Sequence, residues 1–367
     1  MKTCNRKILG LFPYFGPKEI GGVQASARIA WAAVAQESNG DATLFTYAEK
    51  NIVERGWTTP QTLVVCSKLE AIRNAISRTW DPDLVFIWHL GLIKLLPFFR
   101  LSNVRVVQVL LGIESWKNCD WFTQKQLDRV DLFLTISDHT WHAFLKNNSR
   151  YAMKPHQTIR LGIGSPIDRT VRQPQRPPVA LMVGRLLRSE SYKGHRQVIE
   201  AWPDVLRRCS EAQLWIAGDG DLRVDLERTV AQLNLSASVR FLGQVSEDRK
   251  EELIEKCHCL LMPSLAEGFG LVYLEAMRLG RPCLVGSGDA GKEVVNPPEA
   301  GLAADPDQRE VLTEAICSLI AEGSRWQQWS IQARRRYETN YTASHFQERL
   351  LAALSITDCK PDEVGQT

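Results

Sequence analysis

Short apolar runs alternate with helical patterns along almost the whole 367-residue chain. That alternation restricts the fold more than any other feature. In the first half the candidate strands are Ile8–Phe12, Ala42–Phe45, Leu63–Cys66, Leu84–Trp88, Val104–Leu111 and Leu132–Ile136. Helical patterns lie between them near Gln24–Gln36, Lys68–Thr79 and His139–Lys146. Most of the runs lack polar alternation, as strands covered on both faces do. Strand, helix, strand in this rhythm predicts βαβ units and a parallel sheet.

The pattern breaks at Arg172-Gln-Pro-Gln-Arg-Pro-Pro178, which has three prolines and no periodicity and reads as a linker. It then restarts. Strands are expected at Val179–Val183, Leu214–Ala217, Val239–Leu242, Cys259–Met262 and Cys283–Val285. Helices are expected near His195–Arg208, Leu222–Leu233, Glu247–Lys256, Gly270–Leu279 and Arg309–Ala321, with a further helical pattern over Trp326–Leu354. The chain is therefore expected to be α/β, with two facing, Rossmann-like, doubly wound domains of parallel sheet, residues 1–172 and 173–340. Residues 341–367 would be a helix packing back on the first domain, then a frayed tail. A ligand would sit in the cleft between the domains, at the carboxyl ends of the strands.

A net charge of +3 does not point to nucleic acid as a partner. Nine cysteines are scattered without a C-x-x-C pair, which fits a reducing compartment. Cys257-His258-Cys259 sits in an apolar run and reads as buried strand rather than a metal site. The start of the chain carries no apolar stretch long enough for a signal segment, and no run of 18 apolar residues occurs. The expected location is cytoplasmic.

One segment concentrates the chemistry: Pro263-Ser-Leu-Ala-Glu267-Gly-Phe269-Gly270-Leu271-Val-Tyr-Leu-Glu275-Ala-Met-Arg-Leu-Gly280-Arg-Pro282. A strand ends at Met262, a two-glycine loop follows, and a helix closes at Gly280. Glycines allow the backbone to approach a ligand, and N–H groups at a helix start favour an anion. Glu267 precedes the helix and Glu275 lies inside it, so one carboxylate can meet the reacting end of a ligand while the other accepts from hydroxyls further along. A second landmark is Gly184-Arg185 at a strand end, followed by Lys193-Gly194. Two fixed cations there could stabilise a leaving pyrophosphate. A third is the tight turn Gly218-Asp219-Gly220.

These motifs resemble those of the retaining glycosyltransferases of family 4, which have the GT-B fold and an E-x7-E motif. The match over residues 263–282 spans twenty positions. The resemblance implies that Glu267 sits near the donor sugar, that Glu275 holds the ribose, and that the backbone of Phe269, Gly270 and Leu271 binds sugar and phosphate. It assigns Arg185 and Lys193 to the diphosphate, with Gly184 and Gly218 lining the nucleotide. Gly286–Val295 resembles the family's Gly-Gly-x-x-Glu loop, with Ala290 in place of the first glycine, and Glu293 reads as structural.

In the first half, the glycine loop of Gly16, Gly21 and Gly22 could admit a phosphate or an acceptor at a helix start. The resemblance makes Gly22 a donor contact, Gly21 and Gly22 acceptor contacts, and His89, at a strand end, a catalytic or acceptor-positioning group. Gly112-Ile113-Glu114 departs from the family's run, with Leu111 in place of its histidine, and takes no catalytic role. The implied catalytic set is His89, Arg185, Lys193 and Glu267, with no metal and no cofactor, the nucleoside diphosphate sugar being a co-substrate. The implied activity is transfer of a hexosyl unit, from UDP-glucose, another UDP-hexose or GDP-mannose, to a saccharide or lipid-linked saccharide in envelope polysaccharide synthesis. Leu92–Arg100 mixes large apolar residues with Lys94 and Arg100 and raises peripheral contact with the inner face of a membrane against an ordinary core helix. A non-catalytic sugar-nucleotide-binding GT-B protein and a GT-B epimerase or phosphorylase are the alternatives. A nicotinamide oxidoreductase is disfavoured, because Phe15–Gly22 lacks the G-x-G-x-x-G pattern.

Overall fold

A computed structural model describes residues 6–13, 21–38, 41–47, 62–65 and 67–355. The readings that involve Gly16, Cys66 and the tail from Ile356 lie outside them. Contacts divide the chain into two units, with breaks at Ile163/Gly164 and Thr342/Ala343.

The first unit runs β1 (Ile8–Phe12), α1 (Gly22–Glu37), β2 (Ala42–Tyr47), β3 (Thr62–Val65), α2 (Lys68–Ser77), β4 (Leu84–Ile87), a 3-10 stretch Leu90–Phe99, β5 (Arg105–Leu110), α3 (Trp121–Leu127), β6 (Leu132–Thr135), α4 (Asp138–Asn147) and β7 (His156–Thr158). Its seven strands form a parallel sheet in the order β3-β2-β1-β4-β5-β6-β7. The first strand lies inside the sheet beside the central β4, which puts the reversal of strand order between β1 and β4. Every residue of β1 and β4 is buried, as unbroken apolar runs require in a sheet covered on both faces. Gly10 of β1 is there for α1: a Cβ would lie 2.3 Å from the Trp31 ring. Serine and aspartate start the helices, with Ser67, Asp120 and Ser137 each accepting the N–H three residues on.

The second unit runs β8 (Val179–Val183), α5 (His195–Arg208), β9 (Gln213–Ala217), α6 (Arg223–Gln232), β10 (Val239–Gly243), α7 (Glu247–Lys256), β11 (Cys259–Met262), α8 (Leu271–Arg278), β12 (Cys283–Gly286), α9 (Gly291–Val295), β13 (Gly301–Ala304), α10 (Arg309–Ile320) and α11 (Ser324–Asn340). Its six parallel strands take the order β10-β9-β8-β11-β12-β13. Met182, Trp202, Ile216, Leu261 and Ile316 centre its core. Each such side chain contributes about 2 kcal/mol by leaving water.

The last helix, α12 (Ala343–Ser355), belongs to the first unit although α11 belongs to the second. It packs on α1. Its Phe346 is fully buried, with ring centroid 6.2 Å from that of Trp88, which in turn stacks on Phe12.

Two strands escape the apolar-run criterion. His156–Thr158 is an edge strand with half-buried polar side chains, and Gly301–Ala304 is short and made of small residues. The proline-rich segment is also not free. Arg281, fully buried, donates from Nη2 to the Arg172 carbonyl at 2.6 Å. Gln175 N–H bonds the Lys256 carbonyl at 3.0 Å, and Arg176 pairs with Glu322. Upstream, Arg169 pairs with Glu251 and Glu255, and Arg334 donates to the carbonyls of Ile167 and Arg169. The break therefore falls at Gly164, before the prolines rather than at them, because arginines invisible to a composition reading fasten residues 165–176 to the second unit.

Leu92–Arg100 is largely inside. Ile93, Leu95, Leu96 and Phe99 are buried, and Lys94 pairs with Asp120 at 2.8 Å. His258 is structural: its Nδ1 accepts the Val179 N–H at 3.2 Å, and Nε2 meets Glu322 at 3.5 Å. No helix among the described residues is long and apolar enough to cross a membrane. No group of three or more His, Cys, Asp or Glu could hold a metal ion among them.

Candidate functional site

The second unit gathers its candidate residues at the carboxyl ends of β8, β9 and β11. Glycines make this end close-packed. Gly218 has φ +141°, and a Cβ on it would lie 1.8 Å from the Gly184 carbonyl oxygen. Gly184 donates to Ala217 and Gly218 to Gly243, at 3.0 and 2.8 Å. No other residue type fits at Gly218 without moving the strand ends.

The loop after Gly184 carries the cations. Arg185 pairs with Oε1 of Glu190, and Lys193 Nζ with Oε2 of the same carboxylate at 2.6 Å. Arg185 is largely exposed, at 66%, whereas Lys193 is 14% and Glu190 10% exposed. Lys193 also lies against Gly184, where a Cβ would sit 3.5 Å from Nζ. A buried carboxylate thus draws two cations to one point. Sequence reasoning missed Glu190; an acid three residues before Lys193 in a basic loop was the available signal.

Glu267 lies half-buried on the loop between β11 and α8. The two loops are joined directly, since Leu265 N–H bonds the Tyr192 carbonyl at 2.9 Å. Burial raises the Glu267 carboxyl above its usual range, opposed by Lys193 and by the backbone N–H groups of Phe269 and Gly268. Its main chain is clamped by the β12–α9 loop. Glu267 N–H donates to Asp289 Oδ2 at 3.2 Å, Ala290 N–H donates to the Glu267 carbonyl at 3.2 Å, and Gly291 N–H donates to Asp289 Oδ1 at 2.9 Å. Burial pushes Asp289 up to about 7. Asp289 is a second residue that sequence reasoning passed over.

Helix α8 begins at Gly270, whose φ of +85° suits glycine, and the ring of Tyr273 fills the place of its Cβ at 2.3 Å. Phe269 is buried, its ring packed edge-on against Tyr341. Leu271 is the first helical residue and partly exposed. Glu275 is one turn further, about 6 Å along the axis. Its Oε1 is held by Lys250 Nζ of α7 at 2.9 Å, and Lys250 also meets Glu247 at 2.8 Å. Burial raises the Glu275 carboxyl, with Lys250 opposing. Lys250 is the third residue missed. The Glu293 main-chain carbonyl accepts from Arg336 and Tyr341.

Gly21, Gly22 and His89 lie in the first unit, at the carboxyl ends of its neighbouring strands β1 and β4. Gly21 caps α1 and Gly22 is its first residue. His89 starts the 3-10 stretch, its Nδ1 accepting the Gly91 N–H at 3.0 Å. An accepting Nδ1 puts the ring proton on Nε2 of the neutral ring, which makes this nitrogen a hydrogen-bond donor rather than a base. The structure thus gathers Gly184, Arg185, Lys193, Gly218, Glu267, Phe269, Gly270, Leu271 and Glu275 in one unit, and Gly21, Gly22 and His89 in the other.

Residues 166–336 match the family described as glycosyl transferases group 1. Among curated proteins, the chain is 34% identical over 142 residues to an uncharacterized glycosyltransferase of Methanocaldococcus jannaschii, covering 39% of this chain and 35% of that protein. It is 29% identical over 143 residues to the alpha-D-kanosaminyltransferase of Streptomyces kanamyceticus, covering 39% and 36%. It is 26% identical over 281 residues to a glycogen synthase of Mycobacterium tuberculosis, covering 72% and 66%. The first two matches span about a third of each relative's length. Among solved structures, Anabaena HepE in complex with UDP-glucose superposes with a TM-score of 0.75 at 17% identity, over 96% of this chain and 100% of that one. The apo lipopolysaccharide outer core galactosyltransferase WaaB gives 0.71 at 17%, over 95% and 99%. The fold is GT-B.

Proposed function

We propose, from the premise that residues 166–336 form a domain of the glycosyl transferases group 1 family, that this chain transfers a hexosyl unit from a nucleoside diphosphate sugar to a hydroxyl. The configuration at the anomeric carbon is kept. One observation carries the proposal: Arg185 and Lys193 converge on a single carboxylate beside the Glu267 loop. Two cations converging at a strand end suit a leaving diphosphate, whose charge grows as the sugar–oxygen bond breaks. Glu275 would accept from the ribose hydroxyls. The backbone of Phe269, Gly270 and Leu271 would meet sugar and phosphate, and Gly184 and Gly218 would line the nucleotide. The leaving phosphate would take the acceptor proton on the same face of the sugar.

His89 would donate from Nε2 to sugar or acceptor, and Gly21 and Gly22 would line the acceptor and phosphate side. The donor would be a UDP-hexose or GDP-mannose. The acceptor would be a saccharide or lipid-linked saccharide in envelope polysaccharide synthesis, with the protein on the cytoplasmic side and no metal needed.

A thermal-shift series with UDP-, GDP- and ADP-sugars tests the donor class, since a ligand that binds only the folded state raises the melting temperature. One sugar nucleotide should stand out, and its hydrolysis or transfer should release the nucleoside diphosphate with EDTA present. A shift without turnover on any acceptor would mark a binding protein instead. No shift with any sugar nucleotide would overturn the proposal.

A further inference from the structure

Glu275 is an acid in an unfavourable place. It lies on α8 between the buried Leu274 and Ala276 and is 25% exposed. The side chain that meets it comes from another helix: Lys250, the fourth residue of α7, is 16% exposed, with Nζ 2.9 Å from Glu275 Oε1. Among the described residues, Oε2 has no hydrogen-bonding partner. A carboxylate can accept about four hydrogen bonds, so Lys250 takes one and leaves the rest in a fixed direction. Lys250 also meets Glu247, 2.8 Å away on the preceding turn and 59% exposed. The ammonium therefore has a second carboxylate partner besides Glu275.

We infer that Lys250 is a positioning residue for the donor: it grips Oε1 of Glu275 and so aims the remaining acceptor positions at the hydroxyls of a ribose. This rests on the proposal that Glu275 receives the sugar of a nucleotide. The charged groups facing Glu275 are Lys250 and Glu247 from α7 and Arg278 from its own helix. Burial raises the Glu275 carboxyl, Lys250 and Arg278 pull it down, and Glu247 raises it. Without Lys250, Glu275 would take up a proton at higher pH, lose acceptor capacity and become free to turn.

The test separates this role from a structural one by changing ligand and protein together. UDP, GDP and ADP, each with its 2′-deoxy form, are titrated calorimetrically into wild type, Lys250→Gln, Lys250→Met and Lys250→Arg. Wild type should bind the ribose form of its preferred diphosphate about tenfold more tightly than the deoxy form, the effect of a hydrogen bond to a charged group. Lys250→Gln and Lys250→Met should bind both forms alike, with the loss greater at pH 6 than at pH 8, and Lys250→Arg should restore the preference. If Lys250→Met does not fold, Lys250→Gln, which keeps a donor and drops the charge, decides the outcome. A preference unchanged in Lys250→Gln, or equal weakening of both forms, overturns the role of Lys250 and leaves the donor proposal standing. A wild type that binds none of the three diphosphates overturns both.

Discussion

The carboxyl ends of the two sheets present the same kind of surface and are built differently. In the second unit several candidates are fixed from distant parts of the chain. Gly218 is wedged against Gly184, the Glu267 loop is clamped by Asp289, and Glu275 is gripped by Lys250 across two helices, while Lys193 is held locally by Glu190. In the first unit the candidates are fixed by near neighbours. His89 bonds Gly91, two residues on, and Gly21 caps its own helix. A site fixed by distant partners keeps its geometry whatever binds. One fixed locally can be re-aimed by a few changes. That difference is what the proposed function would need, a donor end held rigidly and an acceptor end open to change.

The contrast can be broken most forcefully at the glycines. Gly218→Ala should destabilise the second unit by about 3 kcal/mol or more in urea unfolding, since its Cβ would overlap a carbonyl and its φ is disfavoured. A cost below about 1 kcal/mol would show that the strand ends yield.

The clamp at Asp289 should appear as pH dependence. Burial lifts its carboxyl from the ordinary 3.8 to about 7, so between roughly pH 4 and 7 the folded chain binds the extra proton. Stability attributable to this group therefore falls as pH rises through that window, by about 3 kcal/mol or less, and is flat above it. Asp289→Asn should flatten part of the melting-temperature slope between pH 5 and 7.5. An unchanged slope would show that the carboxylate is not carrying that proton.

Lys193→Ala should lower turnover at least about tenfold in a correctly folded protein, the loss of one charge-assisted contact to the leaving group. Near-normal kinetics would sink its assignment. His89→Ala should cost less stability, about 1 kcal/mol, by removing a cap. Its effect should fall on the acceptor KM more than on the donor KM, and the reverse split would undo the division of labour between the sheets. Gly21→Ala should be the mildest change, under about 1 kcal/mol. Its Cβ would meet only the end of the flexible Gln24 side chain, and its φ of −113° suits any residue. A large effect would show that the first unit's loop is as tightly built as the second's.

Much of this was legible in the sequence. Strands such as Ile8–Phe12 and Cys259–Met262 declare themselves because buried parallel strands have no polar face to interrupt them. That Gly184 and Lys193 follow a strand end and that Glu267 through Glu275 run from a loop into a helix was legible, because glycines and charges there sit at fixed local spacings. Asp289 and Lys250 were not. They act on partners chosen by packing, 22 and 25 residues along the chain, and nothing local distinguishes them from solvated charges, whereas Glu190 had a local signal in the Lys193 three residues on. The break at Gly164 was hidden for the same reason, since prolines suggest freedom and only the fold reveals the arginines that remove it.

The return of α12 to the first unit sets an order in time. During synthesis the second unit, one uninterrupted stretch from Gly164 to Thr342, can close on itself as soon as it has left the ribosome. The first unit, though made earlier, must wait for Phe346 to cover Trp88. Until then it exposes an aromatic surface along α1 and β4, and a chain cut after Thr342 would keep that surface uncovered. The half that is translated first is the half that finishes folding last.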